Sequence, residues 1–302
     1  MSSQSRVVAV IGASGVQGLS VVNALLDTFP VHAYTRDASK LKHLSHPNLT
    51  VVEVDINDST ALKAALKNGV WALFANNLSD YTKPIGAEEA LGKNIVDAAA
   101  EAGVEWLVYS SMPEGNPFRA FVEKSNVMKY AREVTKRSQL KNVFVEVGAY
   151  MSNSQGNKPV LNPADGVVEF TWIAIDAQTY LPLISTDTDL GPIVKAVLQN
   201  PDEWNDAEIP VVADPLTVTQ MAEVYSKVYN VPTRVKFLEH APPGLPFGSI
   251  MEDLLGSFKD PGYFPAYVGR EREIAQIAKR LFPGVRTWET YLREVGLDYI
   301  KN

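Results

Sequence analysis

A chain of 302 residues, 46% hydrophobic and 21% charged, is long enough for one large α/β unit or a domain with a smaller appendage, and this composition excludes a disordered chain. The net charge of −7, from 28 basic and 35 acidic residues, argues against direct binding to nucleic acid or to an anionic membrane surface. With no cysteine, disulfides, thiolate metal sites and thiol catalysis are all excluded. No long apolar leader precedes Val7 and no apolar run nears the ~18 residues of a membrane span, so the expectation is a cytoplasmic protein, with the nucleus as a second location.

The first predicted element is the apolar, β-branched run Val7–Ile11, which has the character of a buried parallel strand. It breaks at Gly12-Ala13-Ser14-Gly15-Val16-Gln17-Gly18, after which Val16, Leu19, Val22, Leu25 and Leu26 mark one face of a helix. Val31–Thr35 and Val51–Val54 read as the second and third strands. Asp55-Ile56-Asn57-Asp58 then offers an N-cap for a helix over Ser59–Lys67. Val70–Ala75 is a fourth strand running into Asn76-Asn77, and Gly86–Ala102 is a helix with Gly103 as its C-cap. Trp106–Tyr109 makes a fifth strand ending at Ser110-Ser111, a long amphipathic helix lies within Phe118–Gln139, and Val143–Val147 makes a sixth strand. Six strands alternating with helices predict an α/β fold, a doubly wound parallel sheet of Rossmann type.

Past Gly148 the alternation is less regular. Asp187–Gln199 still reads as a helix, Ile209–Ala213 as a strand and Thr217–Tyr229 as a helix capped at Thr217. Residues 242–265 hold five of the 19 prolines and read as ordered loops over a pocket, with Phe237–Tyr267 as a substrate lid. Short helices near Glu271–Leu281 and Thr287–Val295 close the chain. The expected division is a dinucleotide-binding domain over residues 1–150 and a mainly substrate-binding region over residues 151–302, with about 187–213 returning to the first.

The glycines carry the chemistry. Gly12 allows a tight turn, Gly15 leaves room where backbone N–H groups approach a pyrophosphate, and Gly18 lets the helix lie close to the strand. At the end of the second strand, where an acid would bind an adenosine ribose and select NAD, the residue is Arg36, with Lys40 four positions on. A guanidinium cannot accept a hydrogen bond but can clamp a 2′-phosphate, so the expected cofactor is NADP, with NADPH preferred over NADH. Asp37 next to it works against that clamp. Other chemistries lack their signatures: there is no Gly-x-Ser-x-Gly elbow and no His-Glu-x-x-His, and His32, His43, His46 and His240 form no obvious metal set.

In order and spacing, the series Gly12–Gly18, Thr35-Arg36-Asp37, Val54–Asp58, Leu91-Gly92-Lys93-Asn94, Val108–Pro113, Lys124 and Gly148–Asn153 resembles the NmrA-like family. These are atypical members of the extended short-chain dehydrogenase superfamily, and the likeness continues through Phe170-Thr171-Trp172 and Thr188–Pro192. The resemblance implies an extended NAD(P) over the carboxyl ends of the strands. Gly12, Ala13, Ser14, Gly15, Val16, Gln17 and Gly18 would hold the pyrophosphate, Arg36 and Lys40 the adenosine phosphate, and Asp55 and Ile56 the adenine. Asn76, Asn77, Lys93, Lys124, Tyr150 and Asn153 would surround the ribose and nicotinamide half.

One departure matters. Ordinary short-chain dehydrogenases place a tyrosine four residues before an active-site lysine, but Ala120 stands four before Lys124 and no Tyr-x-x-x-Lys occurs in the chain. Lys124 as acid or base, and Ser110 as the residue orienting a substrate oxygen or a water, are therefore the expected catalytic groups. Two functions stay open: an NADPH-dependent reductase of a small, partly apolar carbonyl, enone or imine, or a non-catalytic NAD(P)-sensing regulator that binds a protein partner such as a transcription factor. Regulatory members of the family often carry degraded glycine turns, and the intact turn here favours the enzyme.

Overall fold

Val7–Ile11 (β1) is buried from Val8 onward, as befits a strand covered on both faces. In the computed structural model, which describes residues 6–301, it leads into Val16–Leu25 (α1), Val31–Thr35 (β2) and Leu49–Glu53 (β3). Next come Ser59–Leu66 (α2), Val70–Ala75 (β4), Ala87–Ala102 (α3), Trp106–Ser111 (β5), Arg119–Thr135 (α4) and Lys141–Val147 (β6). The local signals act as the sequence predicts. Asp58 accepts the N–H groups of Thr60 and Ala61, both at 3.0 Å, to start α2, and Gly103 ends α3 in the left-handed conformation.

The remaining elements are Ala149–Tyr150 (β7), Val160–Leu161 (β8), Val168–Ile173 (β9), Tyr180–Ile184 (β10), Thr186–Gln199 (α5), Glu208–Val211 (β11) and Asp214–Thr217 (β12). Val218–Tyr229 (α6), Thr233–Leu238 (β13), Gly248–Ser257 (α7), Glu271–Leu281 (α8), Trp288–Glu294 (α9) and Ile300–Lys301 (β14) complete the chain.

The chain forms two compact units. The first comprises the residues up to Met112 with Arg119–Val147 and Thr186–Ile209; the second comprises Pro113–Phe118, Gly148–Ser185 and the residues from Pro210 onward. The central sheet has the order β3-β2-β1-β4-β5-β6-β11, and the pairings from β3 through β6 are all parallel. This is the doubly wound Rossmann-type sheet that the alternation predicts. The winding reverses between β1 and β4, which makes the carboxyl ends of those two strands the topological switch point.

The core of the first unit joins Ile11, Leu73, Leu107 and Phe144 of the sheet to Leu62, Ile95, Val96, Val127 and Met128 of α2, α3 and α4. Elsewhere in this unit α1 and α5 approach so closely that a Cβ on Gly191 would lie 2.1 Å from the Ser20 carbonyl, and the Gly191 N–H donates to Ser20 Oγ at 3.0 Å. Only glycine fits there.

Two small sheets that the sequence pattern does not predict belong to the second unit. One has the order β12-β10-β7 and the other β13-β9-β8-β14. Three of their strands, β7, β8 and β14, are two residues long, too short for any periodicity to register. Residues 242–265 are also more than loops, because Gly248–Ser257 is the helix α7. The prolines cluster before and after it, and the stretch between them is free to coil. Thr217 caps α6 in a reciprocal box with Gln220.

Candidate dinucleotide site

At the end of β1, Gly12 turns the chain with φ of +74°, and a Cβ on it would lie 3.0 Å from the Asn76 carbonyl at the end of β4. The turn thus sits on the switch point. Gly15, at the N-cap of α1, donates its N–H to the Gly12 carbonyl at 2.9 Å, and its own carbonyl accepts the Leu19 N–H at 2.8 Å to open the helix. A Cβ on Gly18 would come within 2.1 Å of the Gly12 carbonyl oxygen, so α1 rests directly on the turn. Ala13, Gln17 and Gly18 are buried, Ser14 and Val16 are exposed, and no side chain caps the first turn of α1. An uncapped helix start beside a glycine-rich turn presents backbone N–H groups and a positive dipole end, which suit an anion.

The turn is tied to the end of β2. Ser14 Oγ lies 3.4 Å from Thr35 Oγ1, and the Asp37 N–H donates to the same hydroxyl at 3.2 Å. Arg36 and Lys40 are both exposed on this edge. Asp37, the acid expected to work against them, is engaged elsewhere, since its carboxylate caps the 3-10 turn Ala38–Leu41 by accepting the Ser39 N–H at 2.9 Å. The bonds from Ser39, with Lys40 and Lys42 nearby, hold Asp37 below the ordinary aspartate value. Asp55, at the end of β3, accepts the backbone N–H of Asn57 at 3.0 Å and its side-chain amide at 2.7 Å; these bonds and then the Arg36 charge lower its pKa. Asp55 is exposed and Ile56 half-buried.

The other end of the first unit's site is a closed polar interior. Lys124 of α4, 7% exposed, donates from Nζ to the Asn77 carbonyl at 2.9 Å and faces the Ser110 carbonyl at 3.5 Å. Glu88, in the first turn of α3 and 6% exposed, brings Oε1 to 3.0 Å from the same nitrogen. Asn77 turns its side chain inward, accepting from Tyr109 Oη at 2.9 Å and donating to the Glu88 carbonyl at 3.3 Å. Burial, with the Glu88 charge adding to it, holds the Tyr109 phenol well above its ordinary value. Ser110 and Ser111 are buried at the end of β5.

Glu123, one residue before Lys124, serves the neighbouring helix. Its Oε2 accepts the N–H groups of Glu88 and Glu89 at 2.9 and 3.1 Å, at the positive end of α3, while Oε1 takes Arg119 Nε at 2.6 Å. Burial pushes its pKa up, but Arg119 and the backbone amides outweigh that and hold it below the ordinary glutamate value. Arg119 also donates to the carbonyls of Lys83 and Pro84, at 3.0 and 2.6 Å.

The first unit thus brings Gly12–Gly18 together with Asn76, with the Arg36 edge and, at the ends of β4 and β5, with Asn77, Ser110 and Lys124. Lys93 is paired with Glu89 at 2.5 Å on its own helix and lies 5.4 Å from the Tyr130 ring. Tyr150, half-buried at the end of β7, and Asn153, exposed in the 3-10 turn Met151–Gln155, belong to the second unit. Sequence reasoning missed Glu88, Glu123 and Tyr109. An acid in the first turn of a helix reads as ordinary dipole compensation, which hides Glu88, and nothing in the spacing links it to Lys124, 36 positions on.

The sequence profile of the NmrA-like family matches residues 4–292. The NmrA-like family domain-containing oxidoreductase ptmS of Penicillium ochrochloron is 30% identical, the match covering 78% of this chain and 76% of that one. The nitrogen metabolite repression protein nmrA of Emericella nidulans is 26% identical over 99% of this chain and its own full length. Among solved structures, NmrA, described as a negative transcriptional regulator in complex with NADP, superposes with a TM-score of 0.79 at 26% identity, covering 97% of this chain and 95% of the other. A profile match over nearly the whole length, carried by a fold of the same order, places this chain in the NmrA-like family.

Proposed function

We propose that the chain is an NADPH-dependent oxidoreductase of a small, partly apolar carbonyl, enone or imine. The observation that carries this reading is the turn from Gly12 to Gly18. Its glycines leave no room for side chains, with added Cβ atoms 3.0 and 2.1 Å from backbone at Gly12 and Gly18, and the uncapped start of α1 follows. On this reading Gly12 to Gly18 hold the pyrophosphate, Arg36 and Lys40 the 2′-phosphate, and Asp55 and Ile56 the adenine. Asn76, Asn77, Lys93 and Lys124 take the ribose and nicotinamide half.

When bound, the dinucleotide supplies hydride. The chain's part is to orient the two reactants and deliver a proton to the reduced substrate, through Lys124 or a water held by Ser110. Residues 1–150 serve the cofactor and residues 151–302 mainly choose the substrate, in the cytoplasm. The oxidoreductase relative ptmS and the NADP complex of NmrA support the reading.

The test is a titration of the intrinsic fluorescence of the five tryptophans with NADPH and NADH. NADPH is expected to bind more tightly, and Arg36→Ala to remove most of the preference, about 1–3 kcal/mol for a charge-assisted phosphate contact. Equal affinities in the parent protein would remove Arg36 from the site. Catalysis is tested separately, by NADPH consumption against a panel of enones, quinones, aldehydes and imines; no consumption on any of them sinks the enzyme.

A second reading has its own support. Lys124 already has two carbonyl acceptors and a carboxylate charge around its ammonium, no Tyr-x-x-x-Lys occurs, and the likeness to the nitrogen metabolite repression protein spans both chains. That combination suits an NAD(P)-sensing regulator with a protein partner. Release of a captured partner by NADPH but not by NADP would favour it over the enzyme.

A further inference from the structure

Lys124 is the only residue of the expected site whose charge is held inside the first unit, and what surrounds it is uneven. The Asn77 carbonyl at 2.9 Å is a firm acceptor, the Ser110 carbonyl at 3.5 Å a slack one, and the Glu88 carboxylate at 3.0 Å contributes charge rather than an aligned hydrogen bond. Among the described residues, buried Glu88 Oε1 has no hydrogen-bond partner. A buried carboxylate without a directed partner is costly to keep. Beside an ammonium it has a use, because two buried charges of opposite sign offset part of each other's lost hydration.

We propose that Glu88 is the positioning residue of the nicotinamide end: it seats Lys124 at the ends of β4 and β5, so that the hydrogen slackly held by the Ser110 carbonyl serves an incoming ribose hydroxyl. The groups facing this pair come from each packed element. They are Glu88 on α3, Tyr109 on β5 with its ring 5.7 Å from Nζ, and Tyr81 in the loop after β4, which feels the Glu88 charge. Glu123 on α4 is already committed to Arg119 and the start of α3. Tyr109, with its phenol pushed well above the ordinary value by burial, does not titrate near neutrality. Glu88 is therefore the sole carboxylate of this group left to balance Lys124. The role rests on the NADPH reading above, which places Lys124 at the ribose.

The experiment measures NADPH affinity by tryptophan fluorescence in the parent, Glu88→Gln, Glu88→Asp and the double variant Lys124→Met/Glu88→Leu. Circular dichroism establishes that each variant is folded. Glu88→Gln is expected to bind about tenfold more weakly than the parent, the size of one charge-assisted hydrogen bond lost. Glu88→Asp restores most of the parent's affinity, and the double variant binds weakly.

A folded Glu88→Gln that binds NADPH like the parent overturns the proposal and makes Glu88 a structural partner only. A double variant that binds like the parent also overturns it, by removing Lys124 from the cofactor. A parent that binds no NADPH overturns the dinucleotide reading itself, which none of the variant results alone would do.

Discussion

At the turn from Gly12 to Gly18 the chain makes room by leaving side chains out, with Gly12, Gly15 and Gly18 packed backbone against backbone. At the Lys124 end it does the opposite, drawing Asn77, Glu88, Tyr109 and Lys124 inward until charge and hydrogen bonding hold one another. The first arrangement is steric and the second electrostatic, so they fail differently. A side chain added to the turn has nothing to cancel it. A charge removed from the network can be cancelled by removing its partner.

The sharpest test of that difference is Lys124→Met. With both side chains more than nine-tenths buried, losing the ammonium strands the Glu88 carboxylate and is expected to cost about 3–5 kcal/mol in urea unfolding. The double variant Lys124→Met/Glu88→Leu is expected to recover most of it, since apolar replacement of a buried ion pair is often near neutral. If the double variant is as unstable as the single one, the Lys124 end is held by shape, and the contrast with the turn disappears.

Gly18→Ala is expected to be the next largest effect. Its methyl would sit 2.1 Å from the Gly12 carbonyl oxygen, so α1 or the turn must move. Overpacking of this kind costs about 1–3 kcal/mol, and for a chain of this size each kcal/mol lowers Tm by roughly 2–4 °C. NADPH binding should fall with it, because the displaced atoms are those of the cradle. An unchanged Tm with full binding would mean that α1 does not need to lie on the turn.

The same contrast explains what could be read from the sequence. The parallel sheet, the turn and the caps at Asp58, Gly103 and Thr217 are local devices, coded by residue type at fixed spacing, and they were legible. The ion pair between Glu88 and Lys124 depends on how α3 and α4 cross. Gly92 allows that close approach, since a Cβ there would be 2.5 Å from Val127, but its spacing does not say which side chains the crossing brings together. The pairing of Lys93 with Glu89, one turn away on the same helix, is by contrast a local i, i+4 contact that spacing alone allows. The second unit's sheets were missed because two-residue strands carry no period, although the alternation in Val168–Ile173 was there to be seen.

The smallest expected effect lies at the Arg36 edge, where the charges are exposed. Asp55 sits below the ordinary aspartate value, first through the Asn57 N–H and side-chain amide and then through Arg36. A carboxylate lowered by folding stabilises the native state above its unfolded value, about 3.9, and loses that contribution as pH falls through the folded one. Asp55→Asn keeps an oxygen for the Asn57 N–H but gives up the charge. The variant should therefore unfold slightly earlier than the parent at pH 6, and the gap should close as the pH is taken below 3. A gap that stays constant down to pH 2.5 would show that Asp55 works by shape, as the glycines do, and would move this edge to the steric side of the comparison. A gap that closes leaves it electrostatic but solvent-screened, contributing little to holding the fold.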